Sequence, residues 1–176
     1  MANKEALREL QSRLAERLQS ARIGERSVSW LAVEAAGRGF LLPLAQSGEI
    51  FPSLPVQPLP HAQPWFLGVA NLRGHLHGVV DLAAFLGVRV AVAQVTEALR
   101  DRSQLIALNT TLALNCALWV EQLSGLRHAS ELTALTDEGP RPAFAGLRYR
   151  DAAGREWQAL DLAALAADPA FLNIAG

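Results

Sequence analysis

The sequence predicts an all-β barrel or sandwich behind an amphipathic helix, and three observations carry that prediction. From Ser27 onward the apolar residues come in short runs rich in Val, Leu, Phe and Trp. Single glycines and prolines separate those runs, the usual punctuation of strands. Ahead of Ser27 the texture differs, with apolar residues every three or four positions, which is the period of a helix.

Leu7, Leu10, Leu14, Leu18 and Ala21 form the helical stripe, and Lys4, Arg8, Glu9, Arg13, Glu16 and Arg17 fill the rest of the wheel. Asn3 can cap its start and Gly24 its end, because Asn accepts from free amides and Gly tolerates the left-handed region. The stripe can pack on its own domain or serve as a partner-docking arm. Residues 1–26 are therefore read as a helical extension, 27–168 as the main domain and 169–176 as a tail.

Trp30–Ala35 and Phe40–Ala45 read as two strands joined through Gly37 and Gly39. Five of the nine prolines then fall in the thirteen residues 52–64, which removes ladder donors and predicts an extended crossover. Phe66–Leu72 and His75–Val80 read as strands around a turn at Gly74, with a helical turn over Leu82–Leu86 ended by Gly87. Val88–Arg102 is open between helix and strand. Leu105–Leu108 and Leu112–Val120 form a further pair, and Leu147–Arg150 with Trp157–Leu160 a last hairpin through Asp151–Gly154. Asp161 caps a short helix through Ala167.

Composition narrows the function. In 176 residues, 16 Lys and Arg stand against 17 Asp and Glu, a formal charge of −1, so no overall basic field awaits a phosphate backbone. Cys116 is the single cysteine and sits in an apolar stretch, which rules out an internal disulfide and predicts a core thiol. Asn109, Thr110, Thr111 and Asn115 interrupt the most hydrophobic region, leaving no run of the roughly 18 apolar residues a membrane helix needs. With no secretion signal at its start, the chain is expected in the cytoplasm.

Candidate chemistry is sparse. His75 and His77 alternate on one face of a strand, but no cysteine or carboxylate stands at a matching spacing, so no metal is expected. Asp81 follows Val79-Val80 and precedes a helical turn, where a carboxylate caps free amides. Ser103 and Ser130 lack a nucleophile elbow, and the scattered glycines make no phosphate loop. No catalytic residue and no cofactor are assigned. Trp30, Trp119 and Trp157 read as core or junction residues. An exposed Trp65 would instead mark a docking patch, and Arg73, at a tight turn, is expected at the surface.

One segment is specific. Pro64-Trp65-Phe66-Leu67-Gly68-Val69-Ala70-Asn71-Leu72-Arg73-Gly74, followed by Gly78-Val79-Val80-Asp81-Leu82, resembles the signature of CheW-like domains. A weaker likeness extends from about Ser27 to Ala167. Within it, Glu49-Ile50 matches an acidic-apolar pair that the family carries at the end of its second strand. The resemblance implies two five-stranded β-barrels around a shared core and a non-catalytic adaptor. Its implied partners are a CheA-like histidine kinase and the cytoplasmic tip of a chemoreceptor, with recruitment to receptor arrays. The helical extension, together with this signature match, makes the chain most similar to family members of the chemosensory system that controls type IV pilus twitching motility. The expected partner-binding residues are Glu49, Ile50, Asn71 and Arg73, which lie in the matched segments, and Trp65, from its place at the end of the proline-rich loop. Glu121 departs from the family's usual aspartate, and Ser47 from a usually apolar position. Two rival readings are a small β-barrel enzyme using His75, His77 and Asp81, and a β-barrel nucleic-acid binder.

Overall fold

The computed structural model describes residues 28–89, 97–136 and 139–176, together with Ser12, Arg13 and Ala15, which are helical. The rest of the expected N-terminal helix, with its caps Asn3 and Gly24, lies outside the described residues, as does 90–96 of the segment left open above.

The described chain makes β1 (Ser29–Ala35) and β2 (Arg38–Pro43), then β3 (Ser47–Pro52), the proline-rich crossover, β4 (Phe66–Leu72) and β5 (His75–Asp81). Helices α1 (Leu82–Phe85) and α2 (Glu97–Arg102) precede β6 (Gln104–Leu108) and β7 (Cys116–Val120). After them come β8 (Gln122–His128), β9 (Leu132–Ala134), β10 (Ala145–Asp151), β11 (Glu156–Leu160), α3 (Leu162–Ala166) and α4 (Pro169–Leu172).

Two sheets result, ordered β8-β1-β2-β11-β10-β9 and β3-β6-β7-β5-β4. The all-β expectation holds, and the first sheet gains a sixth strand because the three-residue β9 pairs with β10. Both sheets manage their edges. In the first, the edge strands β8 and β9 are joined by the single 3₁₀ turn Ala129–Glu131, so the sheet curls back on itself. In the second, Gln57 of the crossover exchanges both backbone hydrogen bonds with Val69, at 2.8 and 2.9 Å, and covers the open side of β4. Gly68, at φ +134°, permits this approach, since a Cβ there would lie 2.1 Å from the Gln57 carbonyl oxygen.

Strand β7 shows how the core is divided. Cys116, Leu118 and Val120 face the core shared by the two sheets, with Leu31, Val33, Phe40, Leu42, Val80, Ile106 and Leu160. The alternate residues Ala117 and Trp119 fill the second barrel, with Ala70, Leu72, Val79 and Leu105. Covered on both faces, this strand reads as continuous apolar sequence. Burial of Cys116 pushes its thiol up to about 12, since a thiolate there would lose its hydration.

Several boundaries differ from expectation. Glu49 and Ile50 do not end the second strand: the chain turns at Leu44–Gln46, and both residues sit inside β3, which belongs to the other sheet. Pro52 is the last residue of that strand rather than part of the loop. The strand expected from Leu112 begins only at Cys116, because Asn109 caps a 3₁₀ turn over Thr110–Leu112 and Ala113 takes φ +53°. Residues 169–176, set apart as a tail, carry α4, whose Phe171 is buried in the shared core. Asp161 caps α3 as expected, accepting from Ala163 N and Ala164 N.

Candidate functional site

The β4–β5 hairpin closes through two residues. Leu72 pairs with His75, and between them Arg73 and Gly74 take φ +50° and +84°. Two central residues at positive φ make a type I′ turn, which matches strand twist and ordinarily takes Asn-Gly. Gly74 fits freely. An arginine in the left-handed region costs on the order of 1 kcal/mol, and the surroundings hold it there: Asn71 Oδ1 accepts from Gly74 N at 2.7 Å.

The strained arginine reaches across the barrel seam. Its Nη2 lies 2.5 Å from Glu49 Oε1, with the two side chains 74% and 44% exposed. Strands β3 and β4 are the opposite edges of their sheet, so the pair bridges the point where the barrel closes. Ile50, beside Glu49, is partly exposed, and Leu76, paired with Asn71 across the hairpin, is the most exposed large apolar side chain among the described residues, at 64%. Leu76 was readable only as one more strand residue; its exposure depends on which face the barrel turns outward.

Trp65 is not part of this cluster. It lies seven residues before the hairpin's last β4 residue, about 20 Å along an extended chain. Its ring stacks on Phe171 at 6.1 Å and meets Phe85 edge-on at 5.0 Å. The half-buried ring is occupied in packing the chain's end onto the core. Glu49, Ile50, Asn71 and Arg73 are thus placed at one end of the second barrel, and Trp65 is placed elsewhere.

The residues of the enzyme reading are not brought together. His75 and Asp81 stand at opposite ends of β5, six residues or about 20 Å apart. His77 Nδ1 lies 3.1 Å from the His75 carbonyl oxygen, a local contact beside the turn. Asp81 is wholly buried and caps α1 by accepting from Ala84 N at 3.1 Å. Its carboxylate is also held by Arg89, whose Nη2 lies 2.8 Å from both oxygens.

Arg89 is the functional-looking residue that sequence reasoning missed, and its role is structural. Its other guanidinium nitrogen binds Glu121 Oε1, which also accepts from Ala36 N at 3.1 Å in the β1–β2 turn. The guanidinium lies 4.9 Å from the Trp119 ring. One cation therefore ties the end of β5, the β7–β8 corner and the first sheet's hairpin. Nothing in the spacing of positions 36, 81, 89 and 121 announces this, since the contact spans both sheets.

Comparison with known proteins adds identity. The CheW-like domain family matches residues 29–170. Protein PilI of Pseudomonas aeruginosa is 27% identical over 168 residues, covering 93% of this chain and 89% of that protein. Among solved structures, the scaffolding protein TtCheW of Thermoanaerobacter tengcongensis superposes with a TM-score of 0.61 over 77% of this chain and 85% of its own, at 17% identity. At that identity the superposition speaks for the fold alone.

Proposed function

We propose that this chain, which belongs to the CheW-like domain family, is a non-catalytic adaptor that couples the cytoplasmic tip of a chemoreceptor to a CheA-like histidine kinase. The similarity to PilI favours a chemosensory system that controls type IV pili and twitching motility. The adaptor would work in the cytoplasm at membrane-bound receptor arrays. No helix among the described residues is long and apolar enough to cross a membrane.

The observation that carries the reading is Arg73, held in a left-handed conformation at the tip of an exposed hairpin and paired with Glu49 across the barrel seam. Stability does not explain an arginine there. Its exposed ion pair contributes at most about 1 kcal/mol, which the backbone strain offsets. A guanidinium held in place beside Ile50 and Leu76 is a suitable interface anchor. Signal transfer then needs only that receptor states make different contacts with the complex and so bias the kinase.

The test measures kinase and receptor affinity for Arg73→Ala, Glu49→Ala and the charge-exchanged double variant. Loss of an interface arginine is expected to weaken binding about thirtyfold, or about 2 kcal/mol, with little change in melting temperature. The exchanged pair restores the internal ion pair but not an arginine-specific contact, so affinity should stay low. Wild-type affinity for both partners in all three variants would refute the site.

A further inference from the structure

Asn71 sits two residues before the tip of the β4–β5 hairpin. Its neighbours Ala70 and Leu72 are buried in the second barrel, whereas Asn71 is exposed, as the alternation of a strand requires. On the outer face it stands opposite Leu76. A polar side chain in such a place reads as solvated, or as a hydrogen-bonding group offered to a partner. Here it has a different task, because Oδ1 accepts from Gly74 N at 2.7 Å. Of the two amide atoms only the oxygen accepts, so the backbone N–H fixes the orientation of the side chain.

That bond encloses Arg73. Arg73 and Gly74 hold φ +50° and +84°, which glycine adopts freely and arginine does not. A single hydrogen bond and the cost of one left-handed residue are of the same size, so the Asn71 bond is enough to offset the strain. The guanidinium is held separately, by Glu49 across the seam. Head group and backbone of Arg73 are thus fixed by two different residues, and the one that fixes the backbone is Asn71.

We infer that Asn71 is a positioning residue: it acts on partner binding through Arg73, by holding the left-handed turn that presents the guanidinium, and not by touching the partner itself. The inference rests on the adaptor reading, in which Arg73 is the anchor. An anchor already held in its bound pose loses less conformational freedom on association. Releasing the turn therefore weakens affinity although no contact with the partner is removed.

The test uses the full chain carrying Asn71→Ala, Asn71→Asp, Arg73→Ala, or Asn71→Ala together with Arg73→Ala. In the free protein, exchange of the Gly74 amide proton, followed by NMR, should quicken in Asn71→Ala. It should keep the wild-type rate in Asn71→Asp, whose side-chain oxygen also accepts. Affinity for the CheA-like kinase or the receptor tip should fall about fivefold in Asn71→Ala, equivalent to about 1 kcal/mol, and recover in Asn71→Asp. The double variant should bind no more weakly than Arg73→Ala, since nothing is then left to position. Should Asn71→Ala lower the melting temperature, Asn71→Val, a better strand former that also lacks the acceptor, carries the comparison. Unchanged Gly74 exchange in Asn71→Ala, additive losses in the double variant, or no recovery in Asn71→Asp would each overturn the inference. Wild-type affinity in Asn71→Ala beside weakened binding in Arg73→Ala would overturn it and leave the adaptor reading standing, whereas wild-type affinity in both would overturn the two together.

Discussion

Trp119 and Trp157 occupy corresponding places inside the two barrels, but different forces hold them. Trp119 packs among Ala70, Leu72, Val79, Leu105 and Ala117, and the cation over it, Arg89, is paired with Asp81 and Glu121. Trp157 shares its barrel with Ala32, Leu41 and Ala159, yet its indole N–H donates to Asp151 at 3.0 Å. Arg155 and Arg127 lie 4.7 and 5.6 Å from its ring, and Glu34 accepts from Arg155 at 2.7 Å and from Ser124 at 2.6 Å. The second barrel is thus filled by burial, while the first also depends on charged hydrogen bonds. That contrast makes pH and point substitutions act differently on the two halves.

The largest expected effect lies at the junction between them. Arg89→Met leaves the Asp81 carboxylate buried without its cation, which should cost about 3–5 kcal/mol in urea denaturation. A loss under about 1 kcal/mol would mean that the ion triad does not hold the halves together.

Next comes the packing of Trp157. A Cβ at Gly39 would sit 2.5 Å from its ring, and the ring is pinned by Asp151 and two arginines. Gly39→Ala should therefore cost about 1–3 kcal/mol and alter the near-ultraviolet circular dichroism of tryptophan. An unchanged spectrum and stability would show that the first barrel is looser than its hydrogen bonds imply.

Acid should separate the barrels. The bond from Arg155, then that from Ser124, holds the Glu34 carboxyl below its usual range, and the Trp157 N–H does the same first for Asp151. A depressed folded value means that this stabilisation is complete above the unfolded carboxylate value, about 4. It is lost as pH falls through the lower folded values. Urea midpoints between about pH 7 and pH 3 should fall for the wild type and fall less steeply for Glu34→Gln. Leu105→Ala, inside the second barrel, should lower the midpoint about equally at each pH. Identical acid slopes in wild type and Glu34→Gln would erase the contrast.

The smallest effect has the opposite sign. Asparagine suits the left-handed position that Arg73 occupies, so Arg73→Asn should keep or raise stability by up to about 1 kcal/mol. Its affinity for kinase or receptor should nevertheless fall. A destabilised Arg73→Asn would make the arginine a structural residue.

How much of this was legible follows the range of the interactions. The Asn71-Leu72-Arg73-Gly74 turn, the bounds of β4, and the Asp81 and Asp161 caps depend on neighbours within a few residues, so the sequence alone determined them. The apolar runs of β6 and β7 likewise announce strands covered on both faces. Strand β8 was missed because Gly125 and the absence of a buried face weaken its pattern, and β9 because three residues carry no period. The resemblance pointed to Glu49 and Arg73, and the return of the chain after the crossover led to the expectation that they lie close together on the first barrel; they do meet, but at the seam of the second, which only the closure of that sheet decides. Trp65 could be read as exposed or packed until Phe171, more than a hundred residues later, supplied the ring it stacks on. Arg89 joins Asp81, Glu121 and Ala36 across both sheets, and no local rule encodes such a contact. Spacing and propensity act along the chain, whereas seams, junctions and exposed faces are settled only when distant segments exclude water together.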